Sequence, residues 1–260
     1  MNDIDNFVSV IPAAGFGTRL RLKKKSKEVL SVIYPDNLNG IKEKVISSFL
    51  IDQLKIAKIE QIFMIIRNGK WDIPKYYAEN KISCCLSFIV IPNSSSIAHT
   101  INFSYPYIKN KFVILSFPDL IIFPKDAVLK CKLLMQEKNP DIVLGLFPVS
   151  NPSKFDIVKF DNRKKIRRIT IKNNSTNLNY AWTIAIWNAK FTEYLHAYID
   201  NRIVTNNCSE MQLSEIILSA IKDEFHVELK LFYRGKCLDI GTKEDYNYTY
   251  QFLKNYKKGI

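Results

Sequence analysis

Hydrophobic positions fall into short runs separated by amphipathic stretches. Residues 6–11 are apolar up to Pro12, and residues 61–66, 86–91, 112–115 and 142–147 repeat the pattern of a strand buried on both faces. Between them apolar side chains return at helical spacing. Ile41, Val45, Ile46, Phe49, Leu50, Leu54 and Ala57 predict a helix over 41–57, and further helices are expected around 97–108 and 125–136. Strands alternating with helices of this length imply parallel βαβ units, hence an α/β fold with a doubly wound, mostly parallel sheet.

After Pro148 the rhythm changes. Residues 155–160 and 165–172 flank Asp161-Asn162-Arg163-Lys164, a hairpin signal, and residues 179–187 read as another strand. Helices are expected near 190–199 and 209–222, a strand over 227–233, a turn at Arg234-Gly235-Lys236 and a closing helix over 243–257. No Pro/Gly/Ser-rich linker separates the halves, so residues 1–260 read as one domain. Its first half is 1–148, and 149–260 form an antiparallel subdomain with the closing helix.

A chain of 260 residues can bury a sizeable core, and 47% hydrophobic with 24% charged residues is globular composition. The net charge of +13 is spread through the chain, with dense runs at 19–27 and 163–168. Basic residues do not concentrate on one element with interleaved aromatics, which argues against nucleic acid as a partner. Five cysteines without C-x-x-C spacing argue against both a zinc ribbon and a disulfide framework and suit a reducing compartment. The polar, acidic first six residues lack a leader pattern, and no apolar run approaches the roughly 20 residues of a membrane span. A cytoplasmic protein without membrane contact is expected, and assembly into a homo-oligomer stays open.

The most informative segment is Ala13-Ala14-Gly15-Phe16-Gly17-Thr18, which leaves the first strand directly. Small residues let backbone N–H groups approach a phosphate chain, and Arg19, Arg21, Lys23, Lys24, Lys25 and Lys27 follow with positive charge. A polyphosphate needs both features, although a glycine turn before a solvated basic loop fits the spacing equally well. The P-loop pattern is absent, and Leu20 breaks G-x-G-x-x-G.

Gly15-Phe-Gly-Thr-Arg-Leu20 followed by Ser26-Lys27-Glu28-Val29-Leu30 resembles the N-terminal signature of bacterial sugar-1-phosphate nucleotidyltransferases, such as glucose-1-phosphate thymidylyltransferase. Here the spacer is shorter, and Ser26 stands where the family pattern has Pro. The similarity continues through Ser116-Phe-Pro-Asp119, Ile171-Lys172, the strand at 180–187 and Leu238-Asp239-Ile-Gly-Thr242. Arg67-Asn-Gly-Lys-Trp-Asp-Ile-Pro74 resembles a less characterised branch of that family.

The resemblance implies a Rossmann-like nucleotide-binding half and a sugar-binding second half. Ala13, Ala14, Gly15, Gly17 and Thr18 would cradle the triphosphate, Arg19 would grip it, and Lys27 would sit between nucleotide and sugar phosphate. Asp119 and Asp239 would hold Mg²⁺, with Lys172 and Trp182 on the sugar phosphate side. His99 occupies a position near which the family reads a pyrimidine, so dTTP or UTP is the expected donor and a sugar 1-phosphate the acceptor.

Each residue also has a plainer reading. Asp119 and Asp239 could be turn formers, Lys172 a solvated strand end and His99 a helix start. The odd separation of Trp182 and Trp187 puts them on opposite strand faces, with Trp187 in the core. His196 and His226 read as surface positions and the cysteines as small core residues. No Ser/His/Asp or Cys/His constellation is visible, in keeping with a phosphate monoester as nucleophile. Three other activities share these features: a nucleotide-sugar glycosyltransferase, a cytidylyltransferase acting on a phosphorylated non-sugar alcohol, and a catalytically weakened regulatory homologue.

Overall fold

The computed structural model describes residues 6–17, 20, 25–35, 41–80, 82, 84–171, 180–204 and 211–256. Four parallel strands form one side of a nine-stranded sheet: β1 (Phe7–Pro12), β4 (Gln61–Arg67), β5 (Cys85–Ile91) and β6 (Phe112–Ser116). β1 lies between β4 and β6, with Val10 opposite Phe63 and Leu115. β11 (Tyr180–Trp187) runs antiparallel to β6 and to β8 (Ile142–Pro148), and β12 (Val227–Leu231) adds in parallel to β8. The hairpin β9 (Asp156–Phe160) and β10 (Ile166–Ile171) extends from the other edge of β11. Asp161 closes that hairpin, accepting from the Arg163 and Lys165 amides at 2.8 and 2.9 Å.

Both sheet faces are covered, as continuous apolar strands require. Val8 and Val10 face α3 (Ile97–Asn102), α6 (Ala189–Val204) and α7 (Leu213–Lys222). Phe7 and Ile11 face α1 (Ile46–Ile56), α2 (Asp72–Glu79) and α5 (Ala127–Lys138). A smaller cluster around Phe49, Phe123 and Leu253 docks α8 (Lys243–Lys254). Thr242 and Asp245 cap that helix reciprocally, at 3.2 and 2.9 Å.

Several expectations need correction. The helix expected over 41–57 begins only at Ile46. Ile41–Val45 is β3, paired antiparallel with β2 (Ser31–Pro35), and the Ile46 amide donates to Leu30 O at 2.9 Å. Ile41 and Val45 fit a period of four as well as alternation, and the β2 partner decides between them. The helix expected around 97–108 is two, α3 and α4 (Tyr105–Ile108), interrupted at Ser104, whose hydroxyl turns back to Ile101 O at 2.6 Å. Lys236 belongs not to a turn but to β13 (Lys236–Asp239), which pairs antiparallel with β7 (Leu120–Phe123).

The tryptophans do not face opposite sides. A register shift between Trp182 and Ile184 reverses the alternation, so Trp182 and Trp187 pack into the same core cluster. His196 is half-buried, stacked on Tyr105 with ring centroids 3.6 Å apart and bonded to Asn102 Oδ1 at 2.9 Å. Cys131 is buried as expected, whereas Cys85 is exposed and Cys84 and Cys237 are half-exposed.

Candidate active site

The carboxyl ends of β1, β4, β5 and β6 point to one edge of the sheet, where open α/β sheets form their ligand crevices. The loop after β1 starts with the Ala13 amide bonded to Ile65 O at 2.8 Å. Gly17 has φ +64°, which favours glycine, and a Cβ at Gly15 would meet nothing within 4 Å. The loop thus leaves open space in front of its backbone. Its distal part lies outside the described residues, which takes in Thr18 and Arg19; Lys172 lies outside them too.

The loop returns through a 3₁₀ turn, Lys27–Val29. Lys27 Nζ contacts Asp119, which follows β6 after Phe117-Pro118. Burial pulls the pKa of the Lys27 ammonium down, but Asp119, its hydrogen bond, Glu28 and Asp239 outweigh that and hold it above the usual lysine value. The β7–β13 ladder brings in Asp239. It stands opposite Leu120, and the Ile240 amide donates to Asp119 O at 3.1 Å. The two aspartates, far apart in sequence, thus meet at the end of one short ladder.

Asp239 has a carboxyl pushed up to about 6, by burial first and then by Asp119 and Asp245, with Lys154 and Lys27 pulling the other way. Two carboxylates that raise each other's energy in a half-enclosed crevice are a donor set a divalent cation relieves. Asp119 and Asp239 therefore fit Mg²⁺, with water and phosphate oxygens left to complete its shell. No cluster of three or more His, Cys, Asp or Glu that could hold a metal occurs among the described residues.

Two cavities meet here. One, of about 300 Å³, is bounded by the β1 loop, Arg67 and the polar segment Asn93 to Ser96. The other, of about 230 Å³, is bounded by Lys154, Asp156, Trp182, Gln212 and Asp239. Lys27, Ile97, Phe117 and Asp119 line both. Ala14 and Gly15 line the first cavity, and Trp182 lines the second while its indole donates to Ser214 Oγ at 2.8 Å. Ser214 in turn donates to Asp156 Oδ2 at 2.6 Å.

His99 takes another direction. It bonds Ser95 at 3.2 Å, stacks on Phe103 and lines neither cavity, and the polar wall nearby is supplied by Asn93 to Ser96 and Thr100. Sequence reasoning also missed Lys154, which lies 4.0 Å from Asp239 and pairs with Asp245. Nothing local marks it among so many lysines. Lys70, 4% exposed and bonded to Glu28, escaped for the same reason.

Residues 8–255 match the nucleotidyl transferase family. Among curated proteins none matches the sequence. Solved structures share the fold at low identity. A Bacillus anthracis protein described as a glucose-1-phosphate thymidylyltransferase, in complex with sucrose, superposes with a TM-score of 0.81 at 18% identity, covering 98% of each chain. A UDP-glucose pyrophosphorylase complexed with UDP-glucose gives 0.75 at 17% identity, covering 94% of this chain and 98% of that one. The UTP-bound enzyme from Acinetobacter baumannii gives 0.74 at 17%, covering 96% and 94%. No helix among the described residues is long and apolar enough to cross a membrane.

Proposed function

Because the chain belongs to the nucleotidyl transferase family, we propose that it transfers a nucleotidyl group from a nucleoside triphosphate, dTTP or UTP, to a sugar 1-phosphate, giving pyrophosphate and a nucleotide sugar. The observation that carries this reading is the pair of cavities sharing Lys27 and Asp119. A reaction between two anions needs two adjoining sites with fixed positive charge at their junction, and Lys27 stands there. The first cavity is lined wholly from the first half of the chain, the second largely from residues beyond 148, which suits a nucleotide half and an acceptor half.

An oxygen of the acceptor phosphate attacks the α-phosphorus. The bond from that phosphorus to the oxygen bridging to the β-phosphate breaks, and pyrophosphate leaves with the electron pair. Loop amides from Ala14 to Gly17, with Thr18 and Arg19, bind the triphosphate chain, while Ala13, expected among them, spends its amide on Ile65 O and anchors the loop. Lys27 offsets the repulsion between the two substrates as they close. Lys154 and Lys172 bring positive charge to the acceptor, and Trp182 and Asp156 shape its pocket. Mg²⁺ held by Asp119 and Asp239 would neutralise charge at the α-phosphate.

Pyrophosphate release measured over a panel of triphosphates and phosphorylated acceptors tests the reading. Turnover is expected with dTTP or UTP and a sugar 1-phosphate. A higher kcat/KM with ATP or GTP overturns the donor assignment, and CTP with a phosphorylated non-sugar alcohol overturns the acceptor. Release of nucleoside diphosphate, or no turnover at all, overturns the reaction.

A further inference from the structure

The turn that follows β4 takes no part in the chemistry above, yet its side chains reach both arms of the phosphate-binding loop. Lys70 Nζ donates to the Ala13 carbonyl at 2.7 Å and to Glu28 Oε1 at 2.8 Å. Asp72 accepts twice from Ser26, from its amide at 2.6 Å and its hydroxyl at 2.7 Å. The Arg67 guanidinium lies 4.3 Å from the centroid of the Phe16 ring. The segment from Arg67 at the end of β4 to Asp72 at the start of α2 therefore fastens the outgoing arm at residues 13 and 16 and the returning arm at residues 26 and 28. Lys27 is the residue between the last two anchors.

The Lys70–Glu28 pair does not exist for stability alone. Glu28 is fully buried, its second carboxylate oxygen has no hydrogen-bond partner among the described residues, and burial pushes its pKa up and that of Lys70 down. Apolar residues of similar volume usually serve stability as well as or better than such a pair. What the ion pair supplies is direction, since the Lys70 ammonium is shared between Ala13 and Glu28 and so fixes their separation. Ser26 fits the same logic. A proline there would have neither the amide nor the hydroxyl that Asp72 accepts from.

We propose that Lys70 and Asp72 are positioning residues that brace residues 26–28 against Ala13, so that the Lys27 ammonium stands at the junction of the two cavities before substrates arrive. The proposal rests on the reading of Lys27 as the charge facing both reacting anions. A displacement of about 1 Å in such a group can cost about a hundredfold in rate, so a brace outside the contact shell acts on turnover more than on binding.

Lys70→Met alone would strand a buried carboxylate and risk unfolding, so the pair is replaced together as Lys70→Met with Glu28→Leu. Asp72→Ala and Asp72→Asn test the second anchor. Each protein is melted thermally, its amide hydrogen exchange over 26–30 is followed, and kcat and KM are measured by pyrophosphate release. The expected result is a folded double variant in which exchange over 26–30 and kcat each change at least about tenfold, faster and lower respectively, while KM for the triphosphate moves less than about threefold. Asp72→Ala should behave alike. Asp72→Asn should recover part of the loss, because its amide oxygen still accepts one of the two hydrogen bonds.

Wild-type exchange and kcat in the folded double variant and in Asp72→Ala would overturn the brace. So would a loss of kcat that merely tracks a fall in melting temperature. A wild-type protein that releases no pyrophosphate with any substrate pair refutes the function instead. Exchange over 26–30 then decides the brace by itself: faster exchange in the variants retains it and unchanged exchange overturns it.

Discussion

Replacing Asp239 by Asn should stabilise the metal-free protein at neutral pH while abolishing turnover. The carboxyl is pushed from 3.8 up to about 6, by burial first and then by Asp119 and Asp245. The native state therefore holds this proton more tightly than the unfolded chain. By linkage, the stability from that proton is fully present below about 3.8 and is lost as the pH rises through about 6. A gap of about 2 pK units, at roughly 1.4 kcal/mol each, amounts to roughly 3 kcal/mol. Asn removes the titration and keeps the shape. Without metal at about pH 8 the variant should be more stable than the parent by up to that amount, less what Lys154 and Lys27 lose as the facing charge disappears. Near pH 4 the two should converge. Urea unfolding in a chelator at both pH values reads the difference, and the comparison cancels the other carboxylates. Millimolar Mg²⁺ should then raise the parent's midpoint more than the variant's, because a cation that binds only the folded state stabilises by mass action. A difference in stability that is equal at both pH values, with the same response to Mg²⁺, would refute both the charge crowding and the cation site.

Arg19→Ala and Lys27→Ala should each lower kcat/KM for pyrophosphate release at least about a hundredfold while leaving the melting temperature near the parent's, and near-normal turnover in both would end the assignment. Gly235→Ala places a Cβ 2.7 Å from the Phe147 ring and 2.8 Å from Phe232 Cβ, so it should destabilise by about 1–3 kcal/mol in a thermal melt. Iodoacetamide should label exposed Cys85 in the native protein at about pH 8. Cys131, buried and with a thiol pushed up to about 12, should react only after unfolding, as peptide mass spectrometry would show.

What the sequence makes legible follows from how locally each feature is encoded. β1, β4, β6 and β8 are buried on both faces, so each appears as a continuous apolar run that needs no partner to be recognised, whereas β5, expected to be buried likewise, is a half-exposed edge strand with only Ile91 buried. β7 and β13 are four residues each, and neither makes sense without the other. That ladder is what sets Asp239 against Asp119, so the motifs name both aspartates while the reason they meet is invisible in the chain. The bulge at Thr183 is of the same kind. One extra residue on β11 turns Trp182 into the same core as Trp187, and alternation counted from the sequence cannot register it.

The site divides along the same line. Small residues after a strand and a lysine beyond a basic loop carry their chemistry in their own types and order, which is why Gly15, Gly17 and Lys27 stand out. Lys70 and Lys154 do not, because an ammonium acquires its role from what it faces. For Lys70 that is a buried glutamate and a carbonyl; for Lys154 it is the Asp239–Asp245 pair across the crevice. With 38 basic residues in the chain, composition cannot separate these two from solvated lysines. Burial can separate Lys70: at 4% exposure an ammonium must have found partners to offset its desolvation, and both of those partners flank the loop that faces the first cavity. A buried lysine whose partners lie on the two arms of one loop is thus a better pointer to how that loop works than the exposed lysines that crowd it.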